Sequence, residues 1–132
     1  MRIDHVGYAV RSVDEAVESM KALGFDAVGS VFDDVKRNVR ILFVCNGPYR
    51  VELIAPLDLS RPSPVDGILR KKSAGPCHFC YEVESLERSI EQLKIQGGVM
   101  IESSSWAGAL ESNVAFLFDR TLGVIELVER RS

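Results

Sequence analysis

The sequence predicts an α+β fold: two tandem βαβββ modules forming a curved mixed sheet, a half-barrel, with the helices outside. Three observations predict it. The stretch His5-Val6-Gly7-Tyr8-Ala9-Val10 returns 73 residues downstream as His78-Phe79-Cys80-Tyr81-Glu82-Val83. The same offset aligns Ser12 with Ser85, Glu18 with Glu91, Lys21 with Lys94 and Gly24 with Gly97. Each half then closes on a similar strand carrying one acid, Val51-Glu52-Leu53-Ile54 and Ile125-Glu126-Leu127-Val128. One helix on a four-stranded sheet leaves the other face bare, whereas two such modules side by side can share a core. Module 1 is expected over about residues 1–56, a connector over about 57–76 and module 2 over about 77–132, all within a single domain.

In module 1, residues 3–10 alternate as a strand, with Val6, Tyr8 and Val10 on one face and His5, Gly7 and Ala9 on the other. Ser12-Val13-Asp14-Glu15 has the form of a capping box, which opens a helix. Ala16, Val17, Met20 and Leu23 recur at helical spacing and should cover the Val6/Tyr8/Val10 face, and Gly24 supplies the left-handed stop. Residues 25–32 read as a second strand, Asp33–Arg37 as a polar turn, 39–45 as a third strand, Asn46-Gly47 as a hairpin turn and 49–55 as a fourth strand. The connector is punctuated by prolines. Ser63-Pro64 is expected to open a short helix, with Ser as the cap and Pro first in the helix, tacked down by Ile68 and Leu69. Module 2 repeats the order. Residues 77–83 form a strand and 86–96 a helix with Leu86, Ile90 and Leu93 inward, stopped at Gly97-Gly98. Strands follow at 99–103, 113–119 and 123–129, with a loop over 104–112 that contains Trp106.

The 132 residues are 46% hydrophobic, enough for a real core. No run approaches the about 20 apolar residues of a membrane span, and the N-terminus has no apolar stretch of signal length, so a cytoplasmic protein is expected. Three cysteines, an odd count, argue against a disulfide framework. A net charge of −3 gives no reason to expect a nucleic-acid partner.

Strand parity locates the chemistry. If Val6, Tyr8 and Val10 meet the helix, His5 points the other way, and His78 does the same in module 2. Val51 and Leu53 leave Glu52 on the opposite face, as Ile125 and Leu127 leave Glu126. A lone histidine or glutamate on a strand is usually a packed or surface residue. Four at matched positions of a duplicated module, including both histidines of the chain, form a net-neutral shell for one divalent ion, with N and O donors suited to Ni²⁺, Co²⁺, Zn²⁺, Fe²⁺ or Mn²⁺.

These residues resemble the vicinal oxygen chelate superfamily over nearly the whole chain. The His5 and His78 stretches, the Asn46–Pro56 segment, Pro64 with its helix, and Val114-Ala115-Phe116-Leu117-Phe118 with Ile125-Glu126-Leu127-Val128-Glu129 look similar to glyoxalase I-like proteins and to methylmalonyl-CoA epimerases. The resemblance implies His5, Glu52, His78 and Glu126 as metal ligands. It also implies Glu52 and Glu126 as catalytic groups that abstract a proton alpha to a carbonyl and return it. Some epimerases add an acid on the third strand of the first module. Arg40 stands near that position here, which lowers the epimerase reading. The Asn46–Pro56 segment leans toward the short glyoxalase I-like branch, with Ni²⁺ or Co²⁺ favoured and the hemithioacetal of a 2-oxoaldehyde as substrate. A methylmalonyl-CoA epimerase acting on an acyl thioester, or a non-catalytic small-molecule binder of the same fold, is the alternative. A homodimer is expected. Arg70, Lys71, Lys72, Arg37 and Arg50 are candidate anchors for substrate anions. Cys77 and Cys80, three apart on a strand, should face opposite ways, with Cys80 on the His78 face. Trp106 is read as a lid or as a residue packed at a module edge.

Overall fold

A computed structural model describes residues 1–130. The elements run β1 (Arg2–Ala9), α1 (Val13–Ala22), β2 (Asp26–Asp34), β3 (Val39–Asn46), β4 (Tyr49–Pro56), α2 (Asp66–Lys72), β5 (Gly75–Val83), α3 (Leu86–Ile95), β6 (Val99–Ala107), β7 (Ser112–Asp119) and β8 (Gly123–Glu129). This is the expected α+β order of two tandem βαβββ modules joined by a connector with a short helix. The chain divides into two compact units, His5–Cys77 and the chain from His78 on, the latter taking in Met1–Asp4. No helix among the described residues is long and apolar enough to cross a membrane.

In the first unit the strands lie in the order β2-β3-β4-β1. The β2–β3 and β3–β4 pairs are antiparallel, and β1 runs parallel to β4 with Gly7 opposite Glu52. Leu42, Val44, Leu53, Ala55, Val10 and Val13 form a buried core, against which Tyr8, Ala16, Val17, Met20 and Phe25 pack. Ser12 caps α1 by accepting a bond from the Glu15 N–H at 3.3 Å, a contact of a kind worth about 1 kcal/mol. At the other end the Gly24 N–H donates to the Lys21 carbonyl and the Phe25 N–H to the Met20 carbonyl, each at 3.0 Å. This doubly bonded exit needs the left-handed backbone of Gly24, φ +93°. It also corrects one expectation. Leu23 is the C-cap, already off the helical face, and is exposed, while Phe25 swings back onto Met20 in its place.

The second unit repeats the design with strand order β5-β8-β7-β6, β5 being parallel to β8. Leu86, Val83, Ala115, Leu117, Ile125 and Leu127 form its core, with Ile90, Leu93 and Met100 packed against them. Ser85 caps α3 through the Arg88 N–H, and the Glu129 carboxylate takes the Leu86 N–H at 3.0 Å. The exit again pairs two bonds, Gly97 N–H to Lys94 and Gly98 N–H to Leu93. A Cβ on Gly98 would stand 2.9 Å from the Leu93 carbonyl oxygen, which accounts for the second glycine.

Other boundaries move for identifiable reasons. The second strand extends to Asp34 because Asp33 pairs across the ladder with Arg40, whose Nε lies 2.8 Å from the carboxylate. That hydrogen bond, with the charge of Arg40 behind it, holds the Asp33 carboxyl below its usual pKa. The connector helix begins at Asp66 rather than at Pro64: Pro64-Val65 form a turn closed by the Asp66 N–H on the Ser63 carbonyl at 3.1 Å, and the Ser63 hydroxyl caps no backbone N–H, although the Asp66 carboxylate takes the Ser63 N–H at 2.8 Å as in a capping box. The expected loop over 104–112 is mostly strand. Ser105 and Trp106 pair with Val114 and Asn113 after two register shifts. Trp106 is therefore on a strand, and its 61% exposure contradicts packing at a module edge.

Asn38 went unremarked beside the expected turn, yet it is 1% exposed with φ +58°. Its Nδ2 donates to the carbonyls of Asp58, Arg61 and Pro62 at 3.0, 3.1 and 3.0 Å, and its Oδ1 accepts from the Asp58 N–H at 2.8 Å. One side chain thus ties the start of β3 to the first turn of the connector. Asparagine enters the left-handed region more readily than most residues and carries both donors and an acceptor.

Candidate active site

Each module sets one histidine and one glutamate on the sheet face opposite its helix; His5, Glu52 and Glu126 are buried and His78 is partly buried. In the first unit, β3 and β4 send Leu42, Val44, Leu53 and Ala55 toward α1, so alternation turns Phe43 and Glu52 to the other side. His5 meets them there. Its Nε2 lies 3.4 Å from Glu52 Oε1, and its ring stands edge-on to Phe43, with centroids 5.3 Å apart and planes at 83°. His5 is 1% and Glu52 5% exposed.

The second unit builds the same group. His78 Nε2 lies 3.0 Å from Glu126 Oε1, and the imidazole stands edge-on to Phe116 at 5.6 Å and 88°. Phe116 pairs across the ladder with Glu126, as Phe43 does with Glu52. Cys80, Val114, Val128 and Ala107 pack together on this face with Phe116 alongside, so Cys80 shares the His78 side as expected, and it is not in a disulfide. The phenylalanines were missed by sequence reasoning. Their signal was available, since Phe43 and Phe116 obey the same 73-residue offset as the histidines.

An imidazole nitrogen and a carboxylate oxygen, both buried, are the donors a divalent ion takes from protein. Burying a carboxylate is expensive without a cation or hydrogen-bond donor beside it. Each pair therefore fits a bound metal better than it fits a packing role. The apolar hollow lined by Tyr81, Leu93, Ile125 and Leu127 belongs to the helix side of the second sheet and has no part in this chemistry.

The candidate anchors separate. Arg37 is held by the Asp34 carboxylate at 2.9 Å and Arg40 by Asp33. Arg40 also lies on the helix-facing parity of β3. The residues of that strand on the His5 side are Val39, Ile41, Phe43 and Cys45, so no acid faces His5 from β3 and the departure from the epimerases that carry one there stands. Arg70, Lys71 and Lys72 lie in the last turn of α2 and are exposed. Arg50 shares the Glu52 parity on β4, with its guanidinium carbon 3.9 Å from the centre of the Phe43 ring.

Residues 4–116 match the model of the glyoxalase/bleomycin resistance protein/dioxygenase superfamily. The chain belongs to that superfamily. Its relatives also favour one branch. The ethylmalonyl-CoA/methylmalonyl-CoA epimerase of Cereibacter sphaeroides is 31% identical over 77% of this chain and 75% of its own length. The human mitochondrial methylmalonyl-CoA epimerase is 30% identical over 97% of this chain and 72% of its own length. The crystal structure of methylmalonyl-CoA epimerase from Mycobacterium tuberculosis, 27% identical, superposes with a TM-score of 0.84 over 99% of this chain and 89% of that one. The match spans both modules, in keeping with the expected fold class.

These likenesses correct the sequence reading. A glyoxalase I-type lyase acting on a hemithioacetal was favoured, and superfamily members of the epimerase branch are what the chain resembles. The error came from weighting the Asn46–Pro56 segment, a hairpin whose turn and strand serve the sheet. The preference for nickel or cobalt leaned on the same branch and falls with it.

Proposed function

We propose that this protein is a metal-dependent epimerase of a methylmalonyl-CoA-type thioester, its two units acting as one domain. The observation that carries the reading is the buried His–Glu contact repeated at matched sheet positions, in a chain whose curated relatives are epimerases. In this reading His5, Glu52, His78 and Glu126 hold one divalent ion. Bound there, the ion would supply Lewis-acid stabilisation of negative charge on the substrate oxygens.

The chain's own residues do the rest. One carboxylate takes the proton from the carbon between thioester and carboxylate, and the electron pair of that C–H bond moves onto the thioester carbonyl oxygen. The planar product is then protonated on its opposite face, which inverts the centre. With no acid facing His5 from β3, both proton transfers fall to Glu52 and Glu126. The phenylalanine edges against both imidazoles hold the rings in place.

The test is exchange of solvent deuterium into the alpha carbon of methylmalonyl-CoA, with epimerisation followed in parallel. Metal-stripped protein should be inactive, and reloading with Co²⁺, Zn²⁺, Mn²⁺, Fe²⁺ or Ni²⁺ should restore both. A stripped protein that turns over at the full rate would refute the metal-dependent reading.

The reading includes a homodimer. Val28, Val31 and Phe32 on β2, with Val35 just beyond it, are 37 to 65% exposed, an apolar edge a second copy would cover. Light scattering should give twice the mass of the 14.6 kDa chain. A monomer with full activity would remove this part of the proposal.

A further inference from the structure

We propose that the hollow on the helix side of the second unit is a binding site for an uncharged aromatic ring carried by a small molecule. It lies on the sheet face opposite His78 and Glu126 and does not depend on the epimerase reading.

The hollow has a volume of about 370 Å³ and is lined by Met1, Tyr81, Leu93, Leu122, Ile125 and Leu127. Ile125 and Leu127 belong to the core under α3, and Tyr81 and Leu93 pack against it. Met1 and Leu122, 71 and 72% exposed, form the mouth.

The first unit holds a ring at the matching place. The 73-residue offset sets Tyr81 on Tyr8 and Leu93 on Met20, and the alignment of Glu126 on Glu52 sets Ile125 on Val51 and Leu127 on Leu53. In the first unit those four pack in one cluster with Phe25. The offset sets Phe25 on Gly98. The backbone repeats that match, since the Phe25 N–H donates to the Met20 carbonyl at 3.0 Å and the Gly98 N–H to the Leu93 carbonyl at 2.8 Å. One backbone position thus carries a benzyl group in the first unit and a hydrogen in the second. The hollow is the space left by the missing ring.

The neighbouring turn differs in the same sense. Asn46 reaches the exit of α1, where its Nδ2 donates to the Leu23 carbonyl at 3.3 Å. Its offset partner is Asp119. That carboxylate bends back into its own turn and accepts from the Thr121 and Leu122 N–H groups at 2.7 and 2.9 Å.

The lining selects the ligand. All six side chains are apolar or aromatic, so a charged group placed among them would lose its water without gaining a partner. Phe79, 44% exposed, stacks beside Tyr81 with centroids 6.4 Å apart and planes at 29°, which extends an aromatic wall toward solvent. Such a wall favours a ring over a linear chain. A cavity of about 150 Å³ lined by similar side chains holds benzene. This hollow is larger, with room for a ring and a short substituent directed at the mouth.

The experiment titrates benzyl alcohol, whose ring matches the Phe25 side chain, into the full-length protein with Zn²⁺ present, and follows methyl resonances by NMR. Those of Leu93, Leu122, Ile125 and Leu127 should shift and saturate, while those of Val44 and Leu53 in the first unit should stay in place. Gly98→Phe restores the ring and should weaken binding by about tenfold or more. A Cβ there stands 2.9 Å from the Leu93 carbonyl oxygen. If that approach prevents folding, Leu122→Asp at the exposed mouth carries the comparison, with a loss of about fivefold or more. Shifts that do not saturate, equal shifts in both units, or a folded Gly98→Phe or Leu122→Asp protein that binds like the wild type overturn the inference. So does a wild type that ignores benzyl alcohol and whose mass in light scattering halves on Leu122→Asp, because a second copy then covers the hollow.

Discussion

Glu126→Gln should lower epimerisation about a thousandfold and leave the fold intact, the range expected when a positioned general base is removed. The substitution keeps the shape and an oxygen donor and deletes the negative charge. Glu126 is 3% exposed, so the neutral amide relieves a burial cost and stability should not fall. Circular dichroism should therefore match the wild type, and the rates are compared at saturating metal, because the lost charge belongs to a proposed ligand. The informative readout is stereochemical. If two carboxylates serve opposite faces, Glu126→Gln should still exchange the alpha proton of one epimer while inverting neither, and Glu52→Gln should do the same for the other epimer. A Glu126→Gln variant that inverts methylmalonyl-CoA at the wild-type rate would remove Glu126 from the chemistry.

Asn38→Ala should cost about 3 kcal/mol, the scale expected when several buried partners lose their hydrogen bonds at once. Three carbonyls and one N–H of the connector would be left without the side chain that now satisfies them. The left-handed backbone adds strain, because alanine adopts φ +58° less readily than asparagine. For a domain of this size such a loss lowers the melting temperature by roughly 10 °C. Asn38→Asp is the sharper comparison. It keeps the shape and presents a carboxylate to three carbonyl oxygens, so it should melt no higher than Asn38→Ala at neutral pH. An Asn38→Ala protein melting within a degree or two of the wild type would show that the connector's first turn contributes little to stability.

Several parts of this molecule were legible from residues alone. The helix starts at Ser12 and Ser85 were readable because a cap is a contact between neighbours in sequence. Strand parity was readable because side chains alternate whatever the partner strand. Both located the faces of His5, Glu52, His78 and Glu126. Errors fell where a distant partner decides. Leu23 has helical spacing, and the bonded exit at Gly24-Phe25 turns it to solvent. Trp106 lies among serines and glycine, and pairing with β7 makes its segment strand. Pro64 looks like a helix start, and Pro64-Val65 instead form a turn closed by the Asp66 N–H on the Ser63 carbonyl, so the helix begins at Asp66.

The sequence by itself determined the duplication, the βαβββ order, the superfamily and the sheet face on which His5, Glu52, His78 and Glu126 lie, because each is written in local period or internal repetition. Only the tertiary structure decided where each arginine goes. Arg37, Arg40 and Arg50 are alike as letters. Arg37 reaches Asp34, Arg40 reaches Asp33, and the Arg50 guanidinium lies over the Phe43 ring. The same holds for Asn38, whose four hydrogen bonds reach some twenty residues along the chain. Such partners are chosen by ladder register and burial, which act between segments far apart in sequence and leave no periodic trace in either one.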